Sequence, residues 1–320
     1  MAQTDVTPLQ QTITKHDARS SLIGWNMALV ATLAFSVATP IARGAILAGL
    51  PPATLLAMRF VIAWVLLAIT LGISAPQHLR MDRRAVLICF LGGTLNGIGM
   101  VCIFVALARL EASIASMIFS LNPLAVLALL ALRGEKFTRR HLLRLALGLG
   151  GVFLLINPST AGRSVDWGGV GLVLITVVNS AIFMSLLQWY LKDYDSRAVT
   201  LYIVTMMMIV SVLFWVYQGA HWQNPDWSGW LSILGLAVVS TYIARLTLFA
   251  AVQHLGSGQM SLLLPFEVLL TVIWSILFLG EWLTLWQWVG SLLVVSSAVL
   301  AIDRLRLTGR RLRLRNWSRP

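Results

Sequence analysis

Charge and cysteine are both scarce in this chain. Asp, Glu, Lys and Arg make up 11% of its 320 residues, whereas a soluble globular protein carries about 25%, so a soluble domain is excluded. The two cysteines, Cys89 and Cys102, fall in one predicted helix about 20 Å apart, which is too far for a disulfide. Cysteine and histidine nowhere take the spacing of a metal site, and we predict no metal and no cofactor.

Apolar residues fill the chain in long runs. They make up 58% of it, in stretches that match the roughly 20 residues needed to cross a bilayer. A transmembrane β-barrel would show shorter alternating segments, so we predict an all-α integral membrane fold and expect no cleaved signal peptide. The ten predicted transmembrane helices are 22–42, 52–74, 84–107, 112–132, 139–156, 168–191, 198–218, 230–252, 257–279 and 285–302.

The 24 Lys and Arg residues divide unevenly between the two sides that these spans create. Most fall in the tails and in the loops after even-numbered spans, and the loops of the other side hold only Arg43, Arg109 and Arg163. Because Lys and Arg concentrate in the cytoplasm, we predict a multi-pass inner-membrane protein with both termini cytoplasmic. The net charge of +12 then reflects orientation, and we expect the tail arginines to rest on membrane lipids and not on nucleic acid.

Two similar turns stand at corresponding places in the two halves: RGEKFT at 133–138 and LGEWLT at 279–284. Five spans in each half would put the second half into the membrane upside down, so the turns face opposite sides. Inverted repeats typify secondary transporters, whose substrate site lies near the midplane. The predicted division is a cytoplasmic tail 1–21, a first repeat 22–156, a periplasmic linker 157–167, a second, inverted repeat 168–303 and a basic cytoplasmic tail 304–320.

Three segments carry a resemblance to a known family. They read AGLPPATLLAMRF at 48–60, LEASIASMIFSLNPLAVLALLALRGEKFT at 110–138 and LGSGQMSLLLPFEVLLTVIWSILFLGEWLTLWQWVG at 255–290. In these segments the chain resembles the EamA-type members of the drug/metabolite transporter (DMT) superfamily, over about residues 22 to 302. The resemblance implies ten helices in two five-helix repeats, and export or exchange of amino acids, drugs or other small metabolites.

Charged and polar side chains inside the spans form the candidate substrate site. Glu267 is the one acid well inside a span, and Arg245 is predicted at a similar depth. The two either form an internal ion pair, or Arg245 receives a substrate carboxylate and Glu267 an amine or a proton. Helix-to-helix hydrogen bonds explain most polar residues in spans, but we expect a few to line the cavity: Asn96, Asn179, Gln188, Tyr202 and Tyr242.

Prolines mark the candidate hinges. Pro40 ends the first span, and Pro123 and Pro265 fall inside the fourth and ninth spans. A proline frees a backbone carbonyl and allows a bend. Arg59, near the outer end of the second span, either has a structural role in which it partly snorkels, or seals the outer gate or attracts anions.

These patterns predict a secondary transporter that moves a small organic metabolite by alternating access. An amino acid is the best-fitting substrate, Glu267 is the candidate proton carrier, and the protein is a monomer or homodimer. A multidrug or toxic-compound efflux transporter is the alternative. A membrane enzyme or a scaffold is less favoured, because the five histidines are scattered and no loop is long enough to hold a domain.

Overall fold

The fold is that of a computed structural model, and all its regular structure is helical over the residues it describes. Those residues are 8–74, 77, 81–132, 139–156, 166–191, 194–220, 224–255 and 263–296. The basic tail from residue 304 and the RGEKFT turn lie outside them, so the predictions for both stay predictions.

Thirteen α-helices and one π-helical segment make up this described part. In chain order they are α1 (Pro8–Ser36), α2 (Ala38–Leu47), α3 (Pro52–Ser74), α4 (Arg83–Leu107), α5 (Ala112–Phe119), α6 (Asn122–Leu132), α7 (Arg139–Ile156), α8 (Trp167–Tyr190), α9 (Ser196–Tyr217), α10 (Trp227–Ala237), the π segment (Val238–Ile243), α11 (Ala244–Leu255), α12 (Leu264–Leu279) and α13 (Leu285–Ser296).

Six stretches are long and apolar enough to cross a membrane: 22–47, 52–73, 83–107, 167–187, 196–217 and 227–251. The other four predicted spans correspond to shorter apolar helices, so the count of ten stays a prediction. The first candidate span runs from Leu22 to Leu47, and a turn at Val37 divides it between α1 and α2.

Four helices begin immediately after an aspartate whose carboxylate accepts a backbone N–H of the first turn, which stabilises a helix N-terminus. The pKa of Asp82 is lowered chiefly by the hydrogen bond from the Tyr194 hydroxyl. The backbone N–H of Gly229 lowers the pKa of Asp226 in the same way. The four N-cap residues are Asp82, Asp166, Asp195 and Asp226.

Contacts between loops show which loops share an end of the bundle. At one end Arg109 pairs with Asp166 at 3.9 Å, and Glu281 reaches the start of α5. The hydrogen bond between Tyr194 and Asp82 joins two loops at the other end. Loops predicted to share a side therefore do meet, although these contacts do not say which side is cytoplasmic.

The two halves interleave in a repeating pattern. Helix α8 packs on α4 and α6, and α1 correspondingly packs on α11 and α12. Helix α9 packs on α4, and α3 correspondingly packs on α10 and the π segment. The pairs α3 with α9 and α5 with α12 are their own counterparts. Exchanging each helix for the one at the same place in the other half thus maps each of these contacts onto another of them.

Glycines allow α4 and α9 to approach each other closely. A Cβ at Gly93 would lie 2.7 Å from the Ile203 carbonyl oxygen, and one at Gly97 would lie 3.0 Å from the Val210 Cβ. Small residues let membrane helices approach closely and gain van der Waals contact. We call this tightly packed contact the glycine seam; it explains GGTLNG (92–97) as a packing motif.

Candidate functional site

The π segment interrupts the eighth predicted span at its middle. Single π turns inside α-helices occur frequently at functional sites. The hydroxyls of Ser240 and Thr241 both donate to the carbonyl of Leu236, at 2.8 and 3.0 Å. Each hydroxyl keeps its lone pairs as acceptors, and both residues are buried.

Arg59 of α3 uses one of those hydroxyl acceptors and one backbone carbonyl. Its Nε donates to the Thr241 hydroxyl at 2.7 Å, and its Nη2 lies 3.4 Å from the Ser240 carbonyl oxygen. The Arg59 Cζ lies over the rings of Phe60 and Phe104, 5.3 and 5.6 Å from their centroids, at distances suited to cation–π attraction. Only 2% of Arg59 is exposed.

The guanidinium of Arg59 lies deeper than its backbone position suggests. Thr70, on the same helix, accepts a hydrogen bond from Tyr242 at 3.1 Å. Arg59 and Thr70 are about 16 Å apart along α3 at 1.5 Å per residue, yet they contact the consecutive residues Thr241 and Tyr242. The π segment therefore lies between their depths, and Arg59 reaches along α3 to meet it.

Arg245 lies beside this contact. It follows Thr241 by four residues, a spacing that places two side chains on one helix face. It is 4% exposed, and its Nε has no hydrogen-bond partner. Its positive charge acts on Arg59. An arginine at the centre of a membrane helix costs about 2.5–3.5 kcal/mol on insertion scales, so two adjacent ones demand an explanation.

Glu267 does not explain the two buried arginines by pairing with one of them. Among the residues that the structure describes, Arg245 and Glu267 form no ion pair, so the first of the two alternatives is not found, and a substrate site that uses both residues stays a prediction. Glu267 lies in the first turn of α12, which packs mainly on α1, α2 and α5. The prediction that Arg245 and Glu267 meet was based on their similar depths in the membrane. Depth does not determine the direction in which each side chain points from its helix.

Pro40 acts on the first span as expected of a proline inside a helix. It cannot donate to the carbonyl of Ser36, and the chain turns at Val37. That carbonyl instead lies 3.0 Å from the Thr271 hydroxyl of α12. The Ser36 hydroxyl accepts from the Trp274 Nε1 at 3.2 Å. The bend is therefore held by the helix that carries Glu267.

Replacing Thr271 with valine should weaken this contact. The hydroxyl is buried, and losing one such hydrogen bond costs about 1 kcal/mol. We expect Thr271→Val to lower the free energy of unfolding in detergent by that amount, whereas Thr271→Ser, which keeps the hydroxyl, should lose less. Equal stability of the valine and serine variants would show that the freed carbonyl needs no partner.

The other two prolines lie inside their predicted spans, each where a helix begins. Pro123 falls in the first turn of α6, and Pro265 falls in the first turn of α12. A proline in a first turn breaks no hydrogen bond inside its helix. Neither therefore interrupts the middle of a described helix, and each instead marks where one begins.

The remaining predicted residues are dispersed around the centre. Asn96 is buried on α4, and Asn179 is half-buried on α8 opposite Gly99. Tyr202 of α9 packs edge-on against Phe90 with ring centroids 6.1 Å apart. Tyr242 bonds Thr70, and the side chain of Gln188 lies outside the described residues. Of these residues, Tyr242 belongs to the π segment that Arg59 contacts.

Glu281, in the LGEWLT turn, has a structural partner that sequence reasoning missed. Its carboxylate accepts from the backbone N–H groups of Ala112 and Ser113, at 2.9 and 3.0 Å, and from the Ser113 hydroxyl at 2.6 Å. It thereby caps α5 from the other half of the chain. Gly280 permits the turn, because its φ of 63° lies in the left-handed region.

Comparison with known proteins gives the family. The sequence profile described as the EamA-like transporter family matches residues 22–157 and again residues 167–302. A probable transport protein of Saccharomyces cerevisiae is 22% identical over 67% of this chain and 66% of its own length. The uncharacterized inner membrane transporter YicL of Salmonella typhimurium is 25% identical over 69% of this chain and 73% of its own.

A solved crystal structure supports the fold. It covers 92% of this chain and 99% of its own, with a TM-score of 0.61 and 20% identity. Together with the apolar helices, the two profile matches show a multi-pass membrane protein. This chain belongs to the EamA-like transporter family.

Proposed function

We propose that the protein is a secondary transporter, and not an enzyme, that moves a small organic solute across the cell's inner membrane by alternating access. The observation that carries the proposal is the exchange pattern of helix contacts between the halves. Such a pattern fits two repeats of opposite orientation related by a pseudo-two-fold axis, which can rock about a central site. Both termini would then be cytoplasmic.

The buried polar residues support the same proposal. Arg59, Arg245, Ser240 and Thr241 are enclosed in an apolar bundle, and charged residues inside membrane spans mark substrate or ion pathways by default. Amino acids, other metabolites and toxic compounds remain the candidate substrates, and export or exchange the candidate modes.

Glu267 is the proposed proton carrier, and its role can be separated from substrate binding. In proteoliposomes, we expect Glu267→Gln to abolish uphill transport driven by a pH gradient, because a glutamine carries no proton. Exchange of labelled for unlabelled solute needs no net proton movement and should persist. Unchanged uphill transport by the variant would remove Glu267 from the mechanism.

The test needs a screen and a control. Proteoliposomes are first loaded with a metabolite mixture, and solutes lost to the medium are identified by mass spectrometry. Asp166→Asn changes an exposed acid of the same bundle and should leave both uphill transport and exchange intact. Absence of any protein-dependent flux across the panel would contradict the transporter proposal itself.

A further inference from the structure

We propose that Arg59 and Arg245 together bind an anionic group, a carboxylate or a phosphate, and that the substrate of the proposed transporter is therefore an organic anion. The inference that the anion is the transported substrate rests on the proposed function. The inference that an anion binds does not, because it concerns two side chains whose surroundings are described.

Geometry places Arg59 and Arg245 beside the same residue, Thr241. Arg59 is anchored through Nε to Thr241, which leaves most of its Nη hydrogens free to donate elsewhere. Arg245 stands four residues beyond Thr241 on the same helix, and its positive charge acts on Arg59. An arginine presents donors in a rigid fork that matches carboxylate and phosphate oxygens.

Charge balance requires a negative group there. Like charges repel strongly where water is scarce, and both arginines are at least nine-tenths buried. Neither forms an ion pair with any acid in the part of the chain that the structure describes. Arg245 also has a buried Nε without a hydrogen-bond acceptor. A bound anion would both relieve the repulsion and fill the missing contact.

The same charges discriminate among substrates. A zwitterionic amino acid would bring its ammonium group close to two guanidinium groups, and in the described part of the chain no acid lies within ion-pair distance of either arginine to receive it. A solute with net negative charge avoids this repulsion. The structure therefore favours organic anions over the amino acids expected from the sequence.

The corresponding contact in the other half is built differently. The glycine seam between α4 and α9 is closed by backbone and apolar atoms around Gly93 and Gly97. Its counterpart between α3 and the π segment holds Arg59, Ser240 and Thr241 instead. One of the two equivalent contacts is thus closed by packing alone, and the polar one is the better candidate for binding.

The experiment measures ligand-induced stabilisation of the full chain in detergent and low-chloride buffer. A ligand that binds the folded state raises the apparent Tm by mass action. The probes are succinate and glycerol 3-phosphate for the two anion chemistries, with alanine, putrescine and chloride as comparisons. The proteins are the wild type, Arg245→Gln, Arg59→Lys, Arg59→Gln and, as a matched control, Arg109→Gln, which changes an arginine that is exposed and paired.

We expect at least one of the two organic anions to stabilise the wild type and Arg109→Gln more than alanine or putrescine does. The apparent Kd should weaken roughly tenfold or more in Arg245→Gln, the loss expected when a charge-assisted hydrogen bond is removed. Arg59→Lys keeps the charge and should retain partial binding. If Arg59→Gln does not fold, the other two variants still decide the matter.

Several results would overturn the inference: stabilisation by chloride alone, equal stabilisation by alanine, or unchanged affinity in Arg245→Gln. Its failure is distinguishable from failure of the transport proposal. Arginine-dependent anion binding without flux would leave the anion site standing and remove the transporter. Saturable flux of an uncharged solute without anion binding would do the reverse.

Discussion

Replacing Glu281 with alanine should lower the free energy of unfolding by about 3 kcal/mol, the upper range for a hydrogen bond to a charged group. The change removes the acceptor for three donors at the start of α5, two of them backbone N–H groups. These donors are buried and cannot all turn to water. Reversible unfolding in detergent measures the loss.

Two further variants separate the capping contact from a general effect of losing an acid. Glu281→Gln keeps one oxygen of the acceptor and should lose about half as much stability. Asp226→Ala removes an exposed cap within one helix, for which about 1 kcal/mol is typical. A loss in Glu281→Ala no larger than that of Asp226→Ala would show that the contact between the halves contributes nothing beyond a local cap.

A single methyl group at Gly93 should have a comparably large effect. In Gly93→Ala the new Cβ would lie 2.7 Å from the Ile203 carbonyl oxygen and 2.8 Å from the Met206 Cβ. Helices α4 and α9 would have to separate, and overpacking of this kind typically costs about 1–3 kcal/mol. We expect lower stability in detergent and reduced transport in proteoliposomes.

Gly171→Ala is the matched control, because it makes the same chemical change in a neighbouring membrane helix. No atom lies within 4 Å of a Cβ built at Gly171. Alanine is favoured over glycine in a helix interior by roughly 0.5–1 kcal/mol, so this variant should be slightly more stable than the wild type. Similar effects of the two substitutions would mean that the glycine seam is not close-packed.

Much of the helical arrangement was predictable from the sequence, because hydropathy and loop charge depend on local composition. The predicted span 139–156 is helical throughout. The turn at Val37 and the π segment were not predicted, because the apolar residues around each are spaced as they would be in a straight helix. Pro40 was the one local signal for the first of them.

The candidate site was less predictable. Arg59 and Thr241 are 182 residues apart in the chain, and no spacing rule connects positions so distant. Reasoning from depth placed Arg245 near Glu267, but the two form no ion pair. Arg245 instead follows Thr241, which Arg59 contacts, by four residues. The direction in which a side chain points depends on how all the helices pack together. A single sequence does not reveal that packing.

The cap on α5 has a consequence for synthesis in the cell. Glu281 lies 168 residues after Ser113, so at about 5–20 residues per second the ribosome delivers it roughly 10–30 s later. Until then the first turn of α5 exposes N–H groups that its own half does not satisfy. Completion of the first half therefore waits for the last part of the chain to be inserted, and a ribosome that stalls before residue 281 leaves an unfinished membrane protein that quality control can recognise.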